Sequence, residues 1–224
     1  MAKHLRGELK KAGDPAKADG MRNYLKTDQP FYGVQAGPRR KIFREAAGRF
    51  SISSRQEYNK LVLDLWNGQC REEMYLALDA AERYPKYRDG KSWPLYEKLM
   101  KSASNWDTLD WICAKLLGPL VLSNRKFEKK LVEWSAAKSF WVRRASLLTH
   151  LHHREQTNTA LLAETILKLC QEKEFFIRKA IGWVLRDYSY TDPAWVKKFV
   201  EKHGGSLSGL SRREALKQIQ REQS

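Results

Sequence analysis

The sequence predicts an all-α protein, a repeat solenoid of stacked antiparallel helix pairs with a concave basic groove. Three observations point there. From about Asp19 onward apolar residues recur at spacings of three and four, with little of the strict alternation of a half-buried strand. Short polar breaks cut this pattern into roughly a dozen segments of helical length. An eight-residue stretch, Lys138-Ser-Phe-Trp-Val-Arg-Arg-Ala145, aligns without a gap on Lys173-Glu-Phe-Phe-Ile-Arg-Lys-Ala180, 35 residues later.

The elements follow in chain order. The first 18 residues are basic and poor in large apolar side chains, and read as a helix or an ordered arm. Pro38 precedes Arg39-Arg40-Lys41-Ile42-Phe43, Pro85 follows a segment ending at Tyr84, and Pro193 precedes Ala194-Trp195-Val196, all placements at helix edges. Ser104-Asn-Trp-Asp-Thr-Leu-Asp-Trp111 opens a helix. His150, His152 and His153 close a helical segment, where imidazoles meet exposed carbonyls, so no metal ligand set is assigned to them. Gly204-Gly205 and the stretch 206–211 mark a late turn.

Stepping back 35 residues from Trp141 reaches Trp106, so Trp106, Trp141 and Phe176 hold one repeated position near the start of successive units. Helix pairs of this period cannot close a core alone and must stack, which makes the solenoid HEAT-like. The period is weak before Gln69, and a tetratricopeptide array stays open on repeat length alone. The 224 residues are read as one domain spanning 1–224, with 42% apolar and 11% aromatic residues to fill a core. No apolar run is long enough for a membrane span and no secretory signal opens the chain, so a cytoplasmic protein is expected, nucleoid-associated in a bacterium. Cys70, Cys113 and Cys170 are too far apart for a zinc knuckle or redox motif and read as small hydrophobes inside apolar segments.

The net charge of +16 calls for an acidic partner. It is unevenly spread: 14 basic and 6 acidic residues fall in 1–60, 8 and 9 in 61–120, and 20 and 11 in 121–224. The repeat sets Arg143-Arg144 and Arg178-Lys179 on neighbouring rows, with Arg39-Arg40-Lys41 as an opposite wall, a geometry suited to a phosphate backbone. The alternative is that these side chains merely solvate helix faces. In the near-neutral middle, Asp107 complements the exposed amides of a first helical turn. Asp110 lies four residues after Trp106 and shares its face, so it is a candidate for chemistry; its bland alternative is an ion pair to an arginine such as Arg144.

Tyr24-Leu-Lys, Phe31-Tyr-Gly-Val, Pro38-Arg-Arg, Trp106-Asp-Thr-Leu-Asp110, Trp141-Val-Arg-Arg144, Phe175-Phe-Ile-Arg-Lys-Ala-Ile-Gly-Trp183-Val-Leu-Arg-Asp-Tyr188 and Leu210-Ser-Arg-Arg-Glu-Ala-Leu-Lys217, in this order, resemble the AlkD family of DNA alkylation repair glycosylases. The resemblance runs from about Met21 to Ile219. It implies a monofunctional glycosylase that excises N3- and N7-alkylated purines without metal or other cofactor, and probes the lesion without flipping the base. It assigns the catalytic aspartate to Asp110, the active-site tryptophans to Trp106 and Trp183, the groove arginine to Arg144 with Arg143 beside it, and the N-terminal aromatic to Tyr24. Arg39, Arg40, Arg178, Lys179 and Arg186 complete the expected DNA contacts. Asn105 departs from members with another aromatic there. The expected partner is double-stranded DNA containing alkylated purines, bound by a monomer with no membrane involved; the competing readings are a non-catalytic repeat binder of damaged or distorted DNA and a protein-interaction solenoid.

Overall fold

A computed structural model describes residues 1–221 of the protein, and every regular element among them is helical. No helix among these residues is long and apolar enough to cross a membrane. The packing divides into two compact units, Met1–Leu95 and a second that starts at Tyr96.

The first unit holds α1 (Ala2–Lys11), α2 (Pro15–Leu25), α3 (Ala36–Arg49), α4 (Arg55–Trp66) and α5 (Arg71–Arg83). The N-terminal stretch forms helix α1 because Leu5 and Leu9, four residues apart, fall on one face and are fully buried. Asp14 caps α2 by accepting from the Ala16 and Lys17 amides, with Pro15 at the first helical position. The Tyr32-Gly33-Val34 loop is organised by a buried acid: the Glu72 carboxylate accepts from all three backbone amides at 2.8–3.0 Å. Gly33 has φ +85°, and a Cβ there would lie 1.9 Å from the Asp14 carbonyl oxygen, so only glycine fits. Part of what makes the Phe31-Tyr-Gly-Val motif recognisable is thus a backbone requirement.

The second unit begins within α6 (Trp93–Ser102) and continues through α7 (Trp106–Trp111), a π-helical turn (Ile112–Leu117), α8 (Gly118–Ser123), α9 (Glu128–Ser135), α10 (Phe140–Leu148), α11 (Thr159–Leu169), α12 (Phe175–Ser189), α13 (Pro193–His203) and α14 (Gly209–Arg221). Helix α10 packs on α7, α9 and α12, and α12 packs in turn on α13 and α14, so the repeats stack in chain order. The period becomes a spacing between touching residues: the His152 amide donates to Asp187 at 2.8 Å and Lys179 donates to Glu214 at 2.7 Å, both across 35 positions. Trp141 and Phe176, equivalent in the repeat, have ring centroids 4.8 Å apart.

Three local details differ from the sequence reading. Cys70 occupies the N-cap of α5, half-buried, rather than the interior of an apolar segment; all three cysteines are free. Helix α14 begins at Gly209, inside the expected late turn, because the Ser208 hydroxyl accepts from the Ser211 amide and starts the helix. The histidines do not end the helix together: His150 is buried, His152 pairs with Asp187, and His153 donates to the Gly118 carbonyl at 3.1 Å.

Candidate active site

Helix α7 is short, and its start and end are both dictated locally. Asn105 caps it, its side-chain oxygen accepting from the Trp106 amide at 2.8 Å, which gives the residue a structural role of its own. Trp106 follows half-buried, Asp107 sits in the first turn, and Asp110 is only 9% exposed. Beyond Trp111 the chain widens into the π-helical turn, where the Gly118 amide donates to the Cys113 carbonyl. Pro119 explains the widening, because it has no amide to donate and its ring would clash with the carbonyl four residues earlier.

The Asp110 carboxylate meets Arg144 of α10 in a bidentate pair, Nε to Oδ1 at 2.9 Å and Nη2 to Oδ2 at 2.8 Å. The remaining guanidinium nitrogen, Nη1, donates to the Phe176 carbonyl of α12. Arg144 is 3% exposed, and its guanidinium carbon stands 5.8 Å from the Phe176 ring centroid. One side chain therefore ties α7, α10 and α12 together and fixes the carboxylate in a single orientation. Burial pushes the Asp110 carboxyl above the usual aspartate range, while the hydrogen bonds and charge of Arg144 oppose the rise. Each carboxylate oxygen accepts one bond from Arg144 and has a further lone pair for a water molecule or a substrate hydrogen.

The other expected contacts are distributed as follows. Arg143 forks onto Glu172, Nε to Oε1 at 2.6 Å and Nη2 to Oε2 at 2.8 Å, and its Nη1 donates to the carbonyls of Ala137 and Lys138. Arg178 donates to the Glu172 carbonyl at 2.9 Å. Lys179 and Arg186 both reach Glu214 of α14, and half-buried Trp183 lies between them in the sequence of α12. In the first unit Tyr24 is 73% exposed and Arg40 is exposed, whereas Arg39 is 4% exposed, pairs with Asp79 at 3.3 Å and stacks over Tyr75. The structure thus joins Asp110 to Arg144 and sets Lys179, Trp183 and Arg186 on one face of α12, while Arg39 faces inward.

A family model described as DNA alkylation repair enzyme matches residues 5–219. The chain belongs to the DNA alkylation repair enzyme family. A solved structure described as a predicted DNA alkylation repair enzyme from Enterococcus faecalis is similar to it, with a TM-score of 0.83 and 28% identity over 92% of this chain and 95% of that one. No curated protein matches.

In this member of the DNA alkylation repair enzyme family, the Asp110–Arg144 contact is the ion pair that the sequence offered as the alternative to a chemical role for Asp110, and sequence reasoning missed the other groups that hold the cations: Glu172, Glu214, Asp79 and the Phe176 carbonyl. Glu214 left a signal, since it lies one repeat after Lys179. The Phe176 carbonyl left none, because a backbone oxygen carries no residue identity.

Proposed function

We propose that the protein is a monofunctional DNA glycosylase that releases N3- and N7-alkylated purines from duplex DNA, working as a monomer without metal or other cofactor. The observation that supports this reading best is Asp110: a buried carboxylate, locked by Arg144, on the same helix face as the half-buried Trp106. A carboxylate is electrostatically unfavourable towards DNA phosphates, so its placement in a protein of net charge +16 suits a partner that becomes cationic.

Alkylation at N3 or N7 places a positive charge on the purine. The glycosidic bond then breaks with its electron pair going to the base nitrogen, which leaves as a neutral purine and needs no proton from the enzyme. The sugar is left oxocarbenium-like, and the Asp110 carboxylate opposes that charge. A water held on an Asp110 lone pair attacks the anomeric carbon and gives up its proton to the carboxylate or to solvent. Trp106 and Trp183 present indole faces to the cationic nucleotide, worth about 0.5–2 kcal/mol each. Arg144 acts on the aspartate, holding it ionised and oriented; Arg143, Arg178, Lys179 and Arg186 are assigned to the duplex backbone, as are Arg40 and Tyr24 of the first unit, whereas Arg39, turned into Asp79, is withdrawn from that set. Reaching the sugar from outside the helix leaves the base stacked, so no flipped-base pocket is required.

A non-catalytic binder of damaged or distorted DNA is the second reading, and it draws support from the same pair, since an Asp–Arg fork also serves as a purely structural tie. Base release from duplexes carrying 7-methylguanine or 3-methyladenine decides between them. The glycosylase reading expects release by the wild type and strong loss in Asp110→Asn; equal release by both proteins removes Asp110 from the chemistry, and no release by either favours the binder.

A further inference from the structure

Helix α14 packs against α12 more closely than side chains ordinarily permit. A Cβ added at Gly182 would lie 2.5 Å from the Glu214 Cβ and 3.0 Å from the Ser211 carbonyl oxygen, so glycine at 182 is what lets Glu214 in. The Ser211 hydroxyl pins the same contact by donating to the Arg178 carbonyl at 2.8 Å. Glu214 then divides its carboxylate between two cations of α12: Oε1 accepts from Lys179 at 2.7 Å, and Oε2 accepts from Arg186. Lys179 and Arg186 are seven residues apart, about 10 Å along a helix axis. Two oxygens of a single carboxylate can reach both only if the two side chains lean towards each other along α12, over the Glu214 side chain seated against Gly182.

The consequence is electrostatic. Lys179 and Arg186 carry two positive charges on the α12 face that displays Trp183, and Glu214 cancels one of them. The Glu214 side chain is 14% exposed, against 39% for Lys179 and 26% for Arg186, so the cations are the solvent-facing partners and the acid lies beneath them. The hydrogen bond and charge of Lys179, with the charge of Arg186, hold the Glu214 carboxyl below the usual range, keeping it ionised at neutral pH.

We infer that Glu214 is an internal competitor for phosphate, which holds Lys179 and Arg186 on the face of α12 that carries Trp183 and weakens their grip on the duplex backbone. This rests on the reading that the chain binds duplex DNA. A phosphate reaching these cations must displace a carboxylate already in place, so backbone contact alone holds a duplex weakly and stable binding depends on contacts made elsewhere, such as a cationic lesion against the indoles.

Anisotropy titrations of undamaged and 7-methylguanine duplexes across a salt series test it, using wild type, Glu214→Gln and Glu214→Gln combined with Lys179→Ala and Arg186→Ala. Glu214→Gln should bind undamaged duplex about 3–10-fold tighter at low salt, with a log–log salt slope steeper by about one counterion. The gain should appear on both duplexes, and the combined variant should lose it. Glu214→Ser gives the same reading should the glutamine variant fold poorly by circular dichroism. Equal affinity and slope for wild type and Glu214→Gln overturn the competitor while leaving duplex binding intact, and a gain that survives in the combined variant overturns it as a mere net-charge effect. Failure of every protein to retain duplex sinks the DNA reading and the competitor together.

Discussion

Asp110 and Arg144 meet through two parallel hydrogen bonds, 2.9 Å and 2.8 Å long, and both side chains are buried. Neither oxygen nor nitrogen geometry is left to chance, because the third guanidinium nitrogen is fixed by the Phe176 carbonyl. Removing one partner of such a pair leaves an uncompensated buried charge, whereas replacing both with apolar groups is often neutral. Asp110→Asn should therefore lower stability by about 3 kcal/mol and excision by ~10²-fold or more. Asp110→Leu combined with Arg144→Met should regain most of the stability and none of the excision. Urea unfolding and base release, measured on the same preparations, separate the two effects; recovered activity in the double variant would show that the pair is only a tie between helices.

The pH dependence of excision follows from the same carboxyl. Asp110 must be ionised to oppose the developing sugar cation, and burial raises its folded-state pKa above the ordinary aspartate value of 3.8 in spite of Arg144. Activity should be full at neutral pH and fall as pH drops through that raised value, so the acid limb of the profile sits higher than an exposed aspartate would place it. Arg144→Lys keeps the charge but loses the fork and should move this limb further up while lowering the rate. A rate that stays flat down to the ordinary aspartate value in the wild type contradicts the assigned role.

Helices, their order and the 35-residue period were legible because they are written in residue spacing, and the period even gives contacting partners such as Lys179 with Glu214. The Trp106 and Asp110 face was legible for the same reason. Partner choice was not. Arg39 reads as a groove cation beside Arg40, yet the two point differently, Arg39 into Asp79 and Arg40 to solvent, because helix phase separates neighbours by about 100°. The π-helical turn escaped because Pro119 signals only that the helix before it is perturbed, and tertiary packing selects how.

The buried histidines predict acid sensitivity. Burial, aided by His153 and Arg125, lowers the His150 pKa to about 3; burial lowers that of His153 to about 4 against its bond to the Gly118 carbonyl. Unfolded histidines titrate near 6.5, so the unfolded chain binds more protons below that pH. The stability is present in full above about 6.5, falls as pH drops, and is lost completely once the folded values are passed. Neither ring nitrogen of His150 has a hydrogen-bond partner among the described residues. His150→Leu removes that unsatisfied burial, and should leave neutral-pH stability unchanged or raise it by about 1 kcal/mol while lowering the acid-unfolding midpoint. Acid titrations followed by circular dichroism check this, and an unshifted midpoint would mean that His150 takes no part in acid unfolding.

Gly182 offers a test of the α12–α14 contact that leaves every charge in place. Alanine there sets a Cβ 2.5 Å from the Glu214 Cβ and 3.0 Å from the Ser211 carbonyl oxygen, neither of which is the far end of a flexible side chain, so helix α14 has to move outward. Overpacking of this kind costs about 1–3 kcal/mol. Because the Glu214 carboxylate withdraws with its helix, Gly182→Ala should share part of the tighter duplex binding expected of Glu214→Gln, although the net charge is unchanged. Thermal melts and salt-dependent titrations on Gly182→Ala read both consequences; a destabilised protein with wild-type duplex affinity would show that packing of α14 and restraint of Lys179 and Arg186 are independent.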